Sequence, residues 1–186
     1  MSAPHTTRLL ERISRGDRQA AADLLPIVYE QLRASAQRLM VGERRNHTLQ
    51  ATALVHEAFA KLVGGTCGDF ANRAHFYDAA GRAMRQVLID HARARGAQKR
   101  EGGAVRVPLS DLAAAFDADP SQLIALDEAL SRLEVDDPEA ATVVRLRFFS
   151  GLSGDETAEV LGCSARKVDI VWARARARLA LAMEPD

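Results

Sequence analysis

Side chains that can read DNA cluster near the C-terminus at the spacing of one helix face. Arginine and lysine bind phosphates and guanine edges, aspartate accepts from the cytosine amino group, and isoleucine contacts the thymine methyl group. The stretch between Ser164 and Arg178 holds five basic residues and one acidic residue, a balance that favours contact with phosphates. The residues on the outward face are Ser164, Arg166, Lys167, Asp169, Ile170 and Arg174.

The residues just before this cluster predict the elements that hold it in place. Ser153 and Glu156 form a capping box, which begins a helix, and Gly162 suits the left-handed turn that ends it. Ser164 can then cap a second helix. The second helix has an apolar face made of Val168, Val171, Trp172, Ala175 and Leu179. The spacing predicts a helix-turn-helix whose second helix enters the major groove. The alternative is an ordinary helical hairpin with a solvated charged face.

A second basic block lies in the middle of the chain. Residues 82–100 hold six basic residues and one acidic residue. They continue a helix that is predicted to begin at Asp69 or Asn72 and to end near Arg95. Its back is apolar, and its front carries Arg82, Arg85, Gln86, Ile89 and Arg93. This front is typical of a helix laid on DNA, and a solvated basic face is the alternative.

Composition indicates an all-α fold in two parts. The chain of 186 residues is 47% apolar but only 5% aromatic, and it lacks alternating β-branched runs. Residues 109–139 hold nine acidic residues and one basic residue. We therefore predict two small helical domains, at 1–100 and 122–186, joined by a flexible acidic linker at 101–121. The opposite charges also favour a closed, self-masking arrangement in the free protein.

No pattern of the chain indicates an enzyme, a cofactor or a metal site. His56-Glu57 begins like the zinc-binding motif H-E-x-x-H, but Ala60 replaces the second histidine. A hydrolase using His56, Glu57, His75 or His91 would need a nucleophile–base pair, which the spacing does not supply. The sequence shows no signal peptide and no membrane segment, and its two cysteines give no disulfide framework, so we expect a cytoplasmic protein.

Four stretches resemble the sigma-70 family of transcription initiation factors, of the extracytoplasmic-function (ECF) type and its ECF-like subgroup. They are TLQATALVHEAFAKLV, NRAHFYDAAGRAMRQVLIDHARARGAQKR, LDEALSRLEVDDPEAATVVRLRFFSGLS and the helix-turn-helix. The resemblance implies a sigma-2-like domain followed by a sigma-4-like helix-turn-helix domain. It also implies a factor that binds core RNA polymerase and directs it to promoters by their −10 and −35 elements.

The resemblance assigns roles to particular residues. Those implied to bind polymerase, at the β′ clamp helices, are Leu54, Val55, His56, Glu57, Phe59 and Lys61. Those implied to read and open the −10 element are Asn72, Arg73, His75, Phe76, Arg82, Arg85, Gln86, Asp90, Arg93 and Lys99. The outward face of the recognition helix would contact the −35 element. Further implied partners are the polymerase β flap and promoter DNA, and the sequence leaves open whether an anti-sigma factor binds as well.

Two other functions remain open at this point. One is a stand-alone helix-turn-helix regulator that binds DNA without polymerase. The other is a degenerate sigma-like factor, because the front of the recognition helix departs from the subgroup's usual Lys-Arg-Asp-Trp run. Asp169 repels phosphates there, so the −35 sequence does not carry over from relatives.

Overall fold

The structure is a computed structural model, and it describes residues 8–9, 11–12, 15, 17–39, 51–64, 70, 72–98 and 120–183. Its α-helices are α1 (Arg18–Leu39), α2 (Ala51–Gly64), α3 (Arg73–Gln98), α4 (Pro120–Asp136), α5 (Pro138–Val144), α6 (Gly154–Leu161) and α7 (Ala165–Ala182). A π-helical segment, Arg145–Phe149, follows α5 directly. No residue of these ranges lies in a strand, which confirms the all-α prediction.

Side-chain caps begin helices α1 and α3. The Asp17 carboxylate accepts from the backbone N–H groups of Gln19 at 2.9 Å and Ala20 at 3.1 Å. The Ala20 hydrogen bond is the main reason why the pKa of Asp17 lies below its ordinary value. Of the two predicted starts for α3, Asn72 is the one observed, because its side chain accepts from the N–H of His75 at 2.9 Å.

The N-terminal helices α1–α3 pack into a bundle in which α2 contacts both α1 and α3. Leu24 and Leu32 of α1, Leu54 and Val55 of α2, and Met84 of α3 are all buried. The buried residues of α1 recur at helical spacing, so this helix turns an apolar stripe inward. The C-terminal helices α4–α7 and the π-helical segment bury a second set of apolar residues: Leu126, Leu130, Leu133, Leu146, Val168 and Leu179.

The two helix groups pack against each other. The Ser35 hydroxyl of α1 donates to the carbonyl of Phe149 at 3.0 Å, and the Ser150 hydroxyl donates to the carbonyl of Tyr77 at 2.6 Å. The buried side chains of both groups form one continuous core. The predicted linker falls almost entirely outside the described residues, and the division into two domains stays a prediction.

The helix that begins at Pro138 changes its geometry at Arg145. From Arg145 onward the turn is wider, and the N–H of Ser150 bonds to the carbonyl of Arg145, five residues earlier, at 2.9 Å. A π-helical turn contains one extra residue and therefore rotates the side chains that follow it around the helix axis. The segment lies against α3 at Gly81, where an added Cβ would be 3.0 Å from the Arg145 carbonyl oxygen. Residue spacing along an ideal helix could not predict this contact.

Candidate nucleic-acid interface

The turn between α6 and α7 has the capping interactions that the sequence predicts. The hydroxyl of Ser153 accepts from the N–H of Glu156 at 3.1 Å, and the N–H of Ser153 donates to the Glu156 carboxylate at 2.8 Å. Gly162 has φ = 64°, the left-handed conformation that closes a helix at low steric cost in glycine. The Ser164 hydroxyl then caps α7 by accepting from the N–H of Lys167 at 3.2 Å. The local geometry is therefore that of a helix-turn-helix.

Helix α7 presents two contrasting faces, as the sequence predicts. Val168, Val171, Ala175 and Leu179 are buried against the other C-terminal helices. All six residues of the predicted DNA-reading face are exposed. Ile170 is 58% exposed, which is unusual for a large apolar side chain and leaves it free to contact a thymine methyl group.

Acidic residues beside α7 pair with most of its basic side chains, a feature that the sequence analysis missed. Arg174 lies 2.8 Å from Asp137 and Arg178 lies 3.2 Å from Asp136. Lys167 pairs with Glu139, and the hydrogen bond to this carboxylate raises the pKa of Lys167 above its ordinary value. These carboxylates belong to the junction of α4 and α5, which the chain brings back beside α7. Because these carboxylates lie far from α7 in sequence, no local sequence pattern could predict the ion pairs.

Arg166 differs from its neighbours on the recognition helix. Within the described part of the chain, its guanidinium group has no ion-pair partner, and the side chain is exposed. Arg174 must leave Asp137 before it can bind a phosphate, whereas Arg166 can bind one directly. Farther along α7, Trp172 is fixed by the guanidinium groups of Arg147 and Arg176, which lie 5.0 and 5.5 Å from its ring centre.

The basic front of α3 is divided between solvent and the other helix group. Arg82 (61% exposed) pairs with Asp78 at 2.9 Å. Gln86 donates to Asp90 at 2.9 Å, and Lys61 of α2 binds the same carboxylate at 3.0 Å. The hydrogen bond from Lys61 is the main cause of the lowered pKa of Asp90. Asn72, His75 and Arg93 are also exposed, whereas Lys99 lies outside the described residues.

Other residues predicted to read the −10 element are covered in this conformation. Phe76 is part of the core, and Arg73 pairs with Glu159 of α6 at 3.2 Å. Arg85 is only 13% exposed because α4 covers it. Ile89, which the sequence places on the front of α3, is buried as well. The helix therefore has two packed faces, where a single apolar stripe is predicted.

The residues predicted to bind polymerase lie on α2 in two layers. Leu54 and Val55 are completely buried and support the helix from behind. His56 and Glu57 point outward, where His56 lies 3.1 Å from the Tyr29 hydroxyl and Glu57 lies 3.2 Å from His91. Tyr29, His56, Phe59 and two further residues, Pro26 and Ala60, line an open groove of about 420 Å³ between α1 and α2. The groove is mostly apolar, as protein docking surfaces often are.

The described part of the chain contains no candidate metal site and no candidate membrane span. No three His, Cys, Asp or Glu side chains in the described ranges are grouped so that they could hold a metal ion. His91 lies 3.2 Å from the Glu57 carboxylate and is partly buried. Among the helices described, none is both long and apolar enough to cross a bilayer.

Comparison with known proteins gives one match. The family model described as "ECF sigma factor" matches residues 4–185, a range that includes both helix groups and the helix-turn-helix. Searches of curated proteins and of solved structures returned no match. Sigma factors are transcription initiation factors, without enzymatic activity, that work with RNA polymerase and promoter DNA. This agrees with the resemblance carried by the four sequence stretches, and the chain belongs to the ECF sigma factor family.

Proposed function

We propose that this protein binds core RNA polymerase and directs it to specific promoters by reading their −10 and −35 elements. The observation that carries the proposal is the outward face of α7, where base-reading side chains stand exposed on a rigid helix-turn-helix. Membership of the ECF sigma factor family supplies the partner. We assign polymerase docking and recognition of the −10 element to α1–α3, and recognition of the −35 element to α4–α7.

Contact with the −35 element falls mainly to the front of α7. The N-terminal half of a recognition helix faces the base edges in the major groove. Arg166 can bind a phosphate or a guanine edge, Asp169 can accept from a cytosine amino group, and Ile170 can pack on a thymine methyl group. Lys167 and Arg174 would add phosphate contacts after exchanging their carboxylate partners for DNA.

Polymerase docking is assigned to the outer surface of α2 and the adjoining groove. Phe59 and Tyr29 line the apolar part of this groove, and His56 sits at its edge. Glu57 and Lys61 are exposed charged residues of the same helix. An apolar centre with charged residues around it suits a stable protein interface. Leu54 and Val55 would act by shaping α2 and not by touching the partner.

The −10 element is assigned to the front of α3. His75, Arg82, Gln86 and Arg93 are exposed there, and they combine positive charge with hydrogen-bonding groups. A single strand is held by such a surface through its phosphates and its unstacked bases. Arg73 and Arg85 would join this contact only in a conformation in which the C-terminal helices uncover them.

A run-off transcription assay tests the proposal. Purified core RNA polymerase is incubated with fragments of the source genome, with and without the protein, and discrete protein-dependent transcripts are expected. Ile170→Ala should change the yield of −35-dependent transcripts, whereas Leu181→Ala should not. Leu181 is the matched control because it is a 68%-exposed apolar residue near the other end of the same helix.

Binding to core polymerase is measured separately by a pulldown. Phe59→Ala should weaken it while the circular dichroism spectrum stays helical. If the wild-type protein binds no core polymerase and yields no transcripts, the proposal is wrong. Protection of palindromic DNA by the protein alone would then favour a stand-alone regulator.

A further inference from the structure

Asp169 is the one acidic residue on the outward face of α7, where it lies among phosphate-binding and base-reading side chains. Its side chain is 68% exposed. An isolated carboxylate at this place would repel the phosphates that border the major groove. Whether Asp169 hinders or helps DNA binding therefore depends on the groups that surround it.

Arg147 of the π-helical segment accompanies this carboxylate. Its Nη1 donates to the carboxylate oxygen Oδ1 of Asp169 at 3.4 Å. The Arg147 side chain is only 23% exposed, so it reaches Asp169 from the inner side of the helix-turn-helix. Within the described residues, the second carboxylate oxygen, Oδ2, has no hydrogen-bond partner. Arg147 therefore neutralises the charge of Asp169 and leaves one acceptor oxygen for a base.

Trp172 fixes the position of Arg147. The guanidinium carbon of Arg147 lies 5.0 Å from the centre of the Trp172 ring, and Arg176 lies 5.5 Å from the same ring. Trp172 follows Asp169 by three positions on α7, and residues at this spacing are neighbours on a helix surface. Arg147 is therefore held by two adjoining side chains of α7, by charge at Asp169 and by a cation–π contact at Trp172.

Gly154, the first residue of α6, leaves room for the ion pair. A Cβ atom at this position would lie 3.4 Å from Oδ1 of Asp169 and 3.9 Å from the guanidinium carbon of Arg147. The pair therefore lies close to the backbone of α6. Three elements, the π-helical segment, α6 and α7, together determine where the Asp169 carboxylate is placed.

We propose that Arg147 is a positioning residue for base selection, which holds the Asp169 carboxylate so that Oδ2 accepts from the amino group of a cytosine. In the major groove cytosine presents only this donor, whereas adenine presents a donor beside an acceptor, which repels a carboxylate. The −35 element then contains a C·G pair opposite Asp169. The inference rests on the proposed function, because it takes α7 to be the recognition helix for this element.

The test selects DNA from a randomised duplex library with core RNA polymerase that carries the full-length protein, and the bound fraction is sequenced. The wild type should enrich cytosine about tenfold over the other bases at one position of the −35 element. Asp169→Asn should move the preference at that position towards adenine, because an amide can bond to both N6 and N7 of adenine. Arg147→Ala should lower the cytosine preference about threefold, as much as a partly exposed ion pair can contribute, and leave the other positions unchanged.

Three further variants control for charge and folding. Arg147→Lys keeps the positive charge and should retain part of the cytosine preference. Arg132→Ala removes an exposed arginine from α4 and should leave the preference unchanged. Arg147→Gln removes the charge but keeps most of the side-chain length. It replaces Arg147→Ala in the test if circular dichroism shows that the alanine variant has lost its helices.

Separate results overturn the inference and the proposed function. If Arg147→Ala weakens binding equally for all sequences, Arg147 does not position Asp169. The same conclusion follows if Arg147→Ala has as large an effect in the Asp169→Ala background as in the wild type. An enriched −35 element without a cytosine that depends on Asp169 also overturns the inference, while the proposed function stands. If the wild type enriches no sequence with polymerase, the proposed function is wrong, and so is the inference that rests on it.

Discussion

Replacement of Arg145 by alanine should destabilise the protein far more than loss of a surface arginine. The Arg145 side chain is only 4% exposed. Its guanidinium group donates to Asp78, to Glu134 at 2.6 Å and to the Thr142 hydroxyl at 2.9 Å. It is thus the most deeply buried of the described charges in an ion pair between the two helix groups.

The expected loss of stability depends on which ion pairs Asp78 and Glu134 retain after Arg145 is removed. Breaking a fully buried ion pair costs about 3–5 kcal/mol because it leaves an uncompensated charge. Here Asp78 keeps its pair with Arg82, and Glu134 keeps its pair with Arg85. We therefore expect the free energy of unfolding to fall by about 2 kcal/mol. For a chain of this length that corresponds to a fall in Tm of about 4–8 °C.

Arg82→Ala is the matched control, because Arg82 binds the same carboxylate from the surface. An exposed pair of this kind, four residues apart on one helix, contributes about 0.3–0.5 kcal/mol. Urea unfolding followed by far-ultraviolet circular dichroism reports the helices of both groups. A free energy of unfolding for Arg145→Ala no lower than that for Arg82→Ala would show that burial of Arg145 adds nothing to stability, and the reasoning would be wrong.

Three further predictions concern the turn, the DNA contact and the core. Gly162→Val should lower the free energy of unfolding by at least about 1–2 kcal/mol, because a β-branched residue resists the left-handed conformation. The fluorescence of the single tryptophan, which lies on α7, follows this unfolding. Arg166→Ala should reduce the slope of log affinity against log salt for promoter DNA by about 0.9, and exposed Arg132→Ala on α4 should leave it unchanged. Tyr77→Phe should lower the free energy of unfolding by about 1 kcal/mol, because it removes the hydrogen bond to Gln31. Burial raises the pKa of Tyr77, so the unfolded chain ionises first, and the advantage of the wild type in unfolding free energy should shrink as pH rises above the ordinary value of 10.0.

The helix-turn-helix could be predicted from sequence because its determinants are local. Ser153, Glu156 and Ser164 cap helices with neighbours three residues away. Gly162 meets a conformational requirement of its own backbone. The apolar face of α7 follows from helical periodicity alone. Each of these interactions lies within a few residues along the chain, where a sequence pattern can record it.

The packing of α3 could not be predicted because it depends on partners far away in sequence. Arg85 bonds to residues 42–49 positions later, and Asp78 pairs with a residue 67 positions later. A basic residue on a helix wheel looks the same whether a carboxylate or water faces it. Ile89 was the one available signal, since an apolar residue in the middle of a basic front favours a second packed face.

The packing of the helices shows where the opposite charges of the chain neutralise each other. Its 25 basic and 25 acidic residues cancel overall, and many of the cancelling pairs join α3 or α7 to acids of other C-terminal helices. A protein paired in this way attracts DNA weakly over long distances. The exposed residues of α2 remain accessible in the same conformation. Under the proposed function, these residues would be open to polymerase in this conformation, whereas Arg73 and Arg85 would first have to leave their carboxylate partners.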